Sequence, residues 1–325
     1  RPRLADQILN DSEIAAELAG SAGGFGGAEL LPDAETPSAG QSGRRVLRHV
    51  LSLAPFSIYV SVFLFIPAVA VAVGAFQTEN GARFTLANLR IALSASQPYR
   101  TGFINSLEIA LLSSIVPGLL GLLVAYAVHT APSRSPLRRV VVSTSGVFSQ
   151  FGGVPLAFLF GACLGPAGLA TVWLSHIGFH VQSSFLYSFT GVAFVYVFFQ
   201  LPLMVLIILP ALEGLRPAWR DAARNLGARP WQYWRYVGAP VLLPSFLGSV
   251  LLLFGFGLAA YATADALTSG TLALTPIQIA GFLNGNVAAG QGNVGKMLGF
   301  AMLVILAVVM VAYITLQRKA SRWLR

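Results

Sequence analysis

The sequence predicts an all-α integral membrane protein with six transmembrane helices and a cytoplasmic helix-turn-helix between the fourth and the fifth. Three observations carry that reading. Hydrophobic residues make up 55% of the chain and charged residues 10%, with mean hydropathy +0.71, whereas a soluble domain carries roughly 25% charged residues. Six apolar runs each approach the roughly 20 residues that a helix needs to cross a bilayer. The basic residues between those runs fall on alternate sides, as expected for chains held in a membrane.

Two domains follow from the composition. Residues 1–43 read as an acidic, Gly-rich cytoplasmic tail. They hold seven of the twelve acids (Asp6, Asp11, Glu13, Glu17, Glu29, Asp33, Glu35) and a Gly/Ala/Ser/Pro-rich run from Gly20 to Gly43. Such composition buries too little apolar surface to order a chain. Leu4 to Leu18 can form a short amphipathic helix or stay a solvated tail. The stretch lacks the apolar core and cleavage site of a signal peptide. Residues 44–325 form the six-span domain.

The first span is expected at about 51–75 and the second at about 104–128. Pro55 and Pro67 within the first are tolerable because neighbouring helices absorb such kinks. Residues 77–102 between them read as an external segment, with a surface helix near 84–93. The third span, about 140–163, contains Phe151-Gly-Gly-Val-Pro155, an interrupted helix or bent entry. Residues 164–186 carry no Lys, Arg, Asp or Glu and suit an external or re-entrant segment. The fourth span is expected at about 187–212, the fifth at 242–264 and the sixth at 297–316. Thr268 to Val294 is too rich in Gly, Asn and Thr to span.

Charge orients this layout. The proposed inner segments hold fifteen Lys and Arg, the outer ones Arg83, Arg90, Arg100 and Lys296. The asymmetry predicts cytoplasmic N- and C-termini and places residues 213–244 in the cytoplasm. The same distribution explains the net charge of +9 without nucleic acid, because the arginines flank apolar runs instead of forming a basic domain. The surrounding partner is membrane lipid.

Chemistry-bearing motifs are sparse. Gly290-Gln-Gly-Asn-Val-Gly295-Lys296-Met297 matches most of a phosphate-binding loop. A Met stands where a Ser or Thr must hold magnesium, and the flanks are membrane helix. The four histidines are dispersed and Cys163 is the single cysteine, so neither a metal site nor a disulfide is expected. No catalytic residue and no cofactor is assigned to this chain.

Polar groups within or beside the spans are pathway candidates: Asn105, Glu108, Gln150, Gln200, Tyr261 and Asp265. Each also has a plainer reading. Glu108 and Asp265 suit solvated helix ends, and the others suit hydrogen bonds between helices.

Residues 213–244 are the most polar stretch among the spans. Arg216, Arg220, Arg224, Arg229 and Arg235 give it strong positive charge. Leu215, Trp219, Ala222, Ala223 and Leu226 recur at helical spacing. Pro217 suits a helix start and Gly227 a helix stop, Pro230 can open a second short helix, and Pro240 can end it. Asp221 can pair with Arg224 one turn on. A helix resting on headgroups explains the arginines, Trp231 and Trp234. It explains less well the small alanines and a glycine at a fixed offset, which let another surface approach closely.

Asp221-Ala222-Ala223, three residues, Gly227, nine residues, Val237, one residue and Ala239-Pro240 resemble the EAA loop of type I permeases of binding-protein-dependent ABC importers. Asp221, Val237 and Ala239 replace that pattern's Glu, Ile and Leu. The resemblance covers about residues 51–320. Asn105-Ser-Leu and Ala125-Tyr126 resemble the same group. Leu164-Gly-Pro-Ala-Gly-Leu169, Tyr261-Ala-Thr and the Ser269-Gly-Thr region are most similar to its polyamine, iron, thiamine and phosphonate branch.

The resemblance implies a permease subunit in a bacterial plasma membrane, paired with a second permease subunit. Two cytoplasmic ATPase subunits would supply energy from ATP and Mg, and an extracytoplasmic binding protein would deliver a small polar solute, a sugar included. Asp221, Ala222, Ala223, Arg224, Gly227, Ala239 and Pro240 would then be the ATPase-coupling residues. The alternative is a secondary transporter or channel with no ATPase. It needs mid-membrane carboxylates, which the five acids beyond residue 43 do not clearly supply.

Overall fold

A computed structural model describes residues 54–323 apart from 79–80, 82, 95–97, 133–134, 179–181, 183 and 286–290, with side chains as far as residue 318. The 1–43 tail, the basic residues at 44–49 and His180 lie outside the described residues. Among the described residues the regular elements are helices, apart from one antiparallel bridge between Gln77 and Phe84. Six of them are long and apolar enough to cross a membrane.

The chain divides into two compact units after Phe65. The described part of the first unit begins helix α1, Ala54–Ala75. Its π-helical turn, Ser61–Phe65, contains Phe63, whose ring lies tilted against that of Tyr59 with centroids 5.0 Å apart.

In the second unit the Ile66–Ala75 part of α1 packs on the last helix. The surface helix expected near 84–93 is α2, Ala87–Leu93. The long second helix, α3, covers Pro98–Thr130. α4 (Pro136–Phe148) and α5 (Gly153–Leu164) follow, then the short α6 (Leu169–His176). α7 covers Phe189–Glu213, α8 Pro217–Asn225 and α9 Pro230–Ala259. Two short helices, α10 (Ala262–Thr268) and α11 (Thr275–Leu283), precede α12, Val294–Trp323.

The third crossing is divided. By length and hydropathy the spanning stretch is Gly153–His176, but contacts place the crossing in α4 and α5 together. Arg138 near the start of α4 pairs with Glu213 at the end of α7. Gly153, at the start of α5, donates its N–H to Thr263 Oγ1 at 2.9 Å, beyond the far end of α9. The interruption sits at Ser149–Gly152, where two glycines and Pro155 favour a new helix start.

The bundle centre is the junction of α3, α7 and α9. α3 meets α7 and α9 along small buried residues: Ala110, Ser113, Ser114, Pro117, Gly118, Gly121 and Ala125. Membrane helices gain affinity by such close backbone approach. A Cβ at Gly121 would lie 2.7 Å from Met204 Cβ and Cγ. Two apolar clusters continue the core toward either end. One groups Met204, Val205, Ile208, Leu212, Leu215, Leu242 and Leu253 near the polar loop. The other groups Leu156, Phe160, Leu186, Val195, Ala264, Leu267 and Leu274 at the far end.

Candidate functional site

The polar loop is held between the end of α7 and the start of α9. α8 begins at Pro217 and closes at Gly227, whose φ of +76° is left-handed. The Ala228 N–H donates to Ala223 O at 3.0 Å and the Gly227 N–H to Arg224 O at 2.9 Å. These two bonds are a Schellman stop, which glycine enters without the penalty a Cβ brings. At the next start, the Arg229 N–H donates to Gln232 Oε1 at 2.7 Å.

Here the structure differs from the sequence expectation. Pro240 does not end a short second helix: α9 runs unbroken from Pro230 to Ala259. A π-helical turn, Trp234–Gly238, lies immediately before Ala239 and Pro240. That wider turn shifts the hydrogen-bond ladder where the proline has no N–H to give. Ala239 and Pro240 therefore lie exposed on the first turns of a spanning helix.

α8 is anchored by buried Leu215 and half-buried Trp219, which pack on the core cluster near the loop. Trp234 stacks edge-on against Tyr126 of α3, with centroids 5.3 Å apart. Outward it presents Asp221, Ala222, Arg224, Leu226 and Gly227, all exposed, with Leu226 at 87%. Trp219, Ala222, Ala223 and Leu226 line an open apolar groove with Val237 and Val241, of about 350 Å³. On the other side Arg216, Arg220, Asp221 and Arg224 share a cavity of about 400 Å³ with His129, Arg138 and Glu213.

Asp221 and Arg224 make no ion pair with each other among the described residues. The pair formed is Arg138–Glu213, and Arg220 places its guanidinium 5.7 Å from the Tyr233 ring centroid. Sequence reading used Arg138 only as a topological charge and Glu213 only as the edge of the loop. Their opposite signs at two span ends on one side were the available signal.

The pathway candidates separate. Gln200 is fully buried at the α3/α7/α9 junction. In the amide orientation that satisfies both ends, its nitrogen donates to Leu253 O and Ser113 O and its oxygen accepts from Ser113 Oγ at 3.0 Å. Asn105 donates to Ala273 O at 3.1 Å. Gln150 is exposed in the interruption between α4 and α5, and Glu108 is exposed on α3. Tyr261 donates to Asp265 Oδ2 at 2.9 Å. These two belong to a break after α9 and to α10, and both line a cavity at the far end. Tyr99, Gln278 and Phe282 join them there, although no spacing in the sequence connects residues so far apart.

The phosphate-loop look-alike offers no such site: Gly295, Lys296 and Met297 fall in the first turn of α12, and Met297 is buried among apolar side chains. Among the described residues no group of three or more His, Cys, Asp or Glu is placed to hold a metal ion.

A family model described as "binding-protein-dependent transport system inner membrane component" matches residues 118–325, which include the whole polar loop. The chain belongs to this family. As an inner membrane component of that kind it is similar to the sulfate transport system permease protein CysT of Escherichia coli (strain K12). The two are 31% identical over 147 residues, 45% of this chain and 50% of the relative. It is also 26% identical over 273 residues to a putative ferric transport system permease protein, FbpB 1, of Haemophilus influenzae. That match covers 82% of this chain and 41% of the relative. The chain spans about half the length of the curated relatives it matches. Its fold is that of a chain in a bacterial ABC transporter involved in the import of the acidic polysaccharide alginate. The TM-score is 0.66 at 18% identity, over 86% of this chain and 96% of the other.

Proposed function

We propose that the chain is the permease subunit of an ATP-driven importer and that α8 with its Schellman stop is where a separate ATPase docks. The single observation that carries this is the placement of Asp221, Ala222, Ala223 and Gly227. Asp221, Ala222 and Gly227 lie exposed and Ala223 half-buried on a short helix and its stop, anchored to the bundle by Leu215 and Trp219 and flanked by an apolar groove. A rigid helix tied to three spans moves those spans when it is moved. Small residues on its outer face let a second protein close on it.

In this reading the loop side is cytoplasmic and the chain sits in a bacterial inner membrane with both termini inside. The positive-inside distribution supports that orientation. The translocation path forms with a second permease subunit, and two ATPase subunits hold the ATP and Mg. A binding protein presents solute at the far end. Family membership supports that partner, and so does a solved structure of similar fold, in complex with an alginate pentasaccharide-bound periplasmic protein (TM-score 0.64). The solute is a small polar compound. Sulfate, ferric iron and sugars appear in the names of this chain's relatives.

The test is copurification. Full-length chain taken from its native membrane in mild detergent should carry a nucleotide-hydrolysing subunit. Ala223→Glu should release that subunit while the chain stays in the membrane. Equal retention by the variant would sink the docking assignment.

A further inference from the structure

The cavity at the far end of the bundle is chemically unlike the one at the polar loop. Tyr99 lines the former and His129 the latter. They stand at opposite ends of α3, about 45 Å apart at 1.5 Å per residue. The far cavity encloses about 430 Å³ between the start of α3, the break after α9, and helices α10 and α11.

Its charge is one-sided, and several of its donors are already committed. The Tyr261 hydroxyl is committed to Asp265 Oδ2 at 2.9 Å and the Tyr99 hydroxyl to Gln291 Oε1 at 2.8 Å. The Gln278 amide nitrogen donates to Pro98 O at 2.8 Å. Both phenol donors are therefore spent within the chain, while the Gln278 amide keeps one N–H. Ser269 and Asn284 also line the cavity, and their hydroxyl and amide can donate or accept. The Asp265 carboxylate has room for further donors, both phenol oxygens keep lone pairs, and Gln278 Oε1 is buried with no hydrogen-bond partner. An unpaired buried acceptor is unfavourable until a donor reaches it. Glycine at position 102 gives this amide its place, since a Cβ there would lie 2.5 Å from its nitrogen and its oxygen.

Charge and shape agree with that inventory. Among the described residues Asp265 is the one carboxylate lining the cavity, and no Lys, Arg or His lines it. Arg100, next to Tyr99 in the chain, is not part of the lining. Phe282 and the two tyrosines add aromatic surface, whose faces attract cations. A dianion such as sulfate would meet a carboxylate there and no lining cation.

We propose that this cavity is a binding subsite for a protonated organic amine: the ammonium group pairs with Asp265, and the alkyl part lies against Phe282 and the tyrosines. That the amine is cargo rests on the permease reading; that it binds does not.

The experiment uses the full chain in nanodiscs of neutral phosphatidylcholine, with ligand-observed saturation-transfer NMR. n-Butylammonium is the probe, with anionic n-butyrate and neutral n-butanol as controls. Butylammonium should bind at least about fivefold tighter than either control. Asp265→Asn should weaken it about tenfold, as expected for loss of a charge-assisted hydrogen bond. Equal binding of butyrate, no binding of butylammonium, or unchanged affinity in Asp265→Asn overturns the proposal. The comparison of probes needs no mutant, so it stands even where Asp265→Asn folds poorly. If butylammonium binds as stated and no ATPase copurifies, the subsite stands and its role in ATP-driven import falls.

Discussion

Arg138 and Glu213 form an ion pair that joins the start of α4 to the last residue of α7, immediately before the polar loop. The side chains are 27% and 44% exposed, so water screens the pair and the net stabilisation is small, roughly 0.2–1 kcal/mol. A double-mutant cycle of Arg138→Ala and Glu213→Ala, read by thermal unfolding in detergent, should give a coupling in that range that shrinks in 0.5 M salt (about a 4 Å Debye length). A coupling well above it, insensitive to salt, would mean the pair is buried by something else.

Gly227 has φ +76° and nothing within 4 Å of where a Cβ would sit. Substitution there is penalised by backbone conformation and not by crowding. A non-glycine residue in this region costs roughly 1–2 kcal/mol, and Asn pays least. If an ATPase docks on α8 as proposed, its retention should follow Gly227, then Asn, then Ala, with Val lowest, each assayed by copurification. If Gly227→Val and Gly227→Asn retain it equally, the Schellman stop has no part in docking.

Gly121 and Gly255 make a contrasting pair. A Cβ at Gly121 meets Met204 side-chain carbons at 2.7 Å and Leu201 O at 3.2 Å, whereas at Gly255 the nearest atom is Leu306 Cδ2 at 3.6 Å. Gly121→Ala should destabilise the bundle by roughly 1–3 kcal/mol, the usual range for overpacking, and Met204→Ala should recover part of it. Gly255→Ala should be close to neutral. Unfolding in a denaturing detergent series measures both, and similar losses at the two positions would contradict the packing described.

The same contrast shows what the sequence could disclose. Apolar runs and alternating charge depend only on local composition, so six spans, the helix-turn-helix and the stop at Gly227 were legible. Gly121 carries no local signal: its role depends on Met204, brought opposite by the pairing of α3 with α7. Pro240 was misread because a proline usually ends a helix, and the π turn that accommodates it is invisible in composition. The far cavity draws on α3, α10 and α11, and the sequence offered only Tyr261 and Asp265 from it. For Gln200 the sequence left a pathway role and a hydrogen bond between helices open, because a buried amide and a channel-lining amide have the same neighbours in sequence. Only the folded chain brings Ser113 and Leu253 to it.

Gln200 is fully enclosed and bonded to Ser113 and Leu253 O. Gln200→Leu removes hydrogen bonds but keeps the volume, which should cost about 1 kcal/mol. Gln200→Glu places a carboxyl where there is no cation among the bonded groups, and should be the more damaging of the two, since charge inside a membrane bundle is expensive. Unfolding midpoints of both variants in one detergent decide the order. A Glu variant as stable as the Leu variant would show that water reaches this junction.

Tyr261 donates to Asp265, and that bond is the largest cause holding its phenol above the usual range; partial burial and repulsion between phenolate and carboxylate act in the same direction. The sign follows from the species involved. The neutral phenol makes the bond, so the bond is present below the ordinary phenol range and is lost as pH rises through the raised value. Asp265→Asn removes the charged acceptor and the repulsion together, so Tyr261 should titrate at lower pH in the variant. The chain has nine tyrosines; subtracting the tyrosinate absorbance of Tyr261→Phe from that of each protein isolates the one in question. The Asp265→Asn difference curve should lie below the wild-type curve on the pH axis. Coincident curves would mean that the carboxylate and the phenol do not meet in solution, and would remove the carboxylate geometry on which the amine subsite depends.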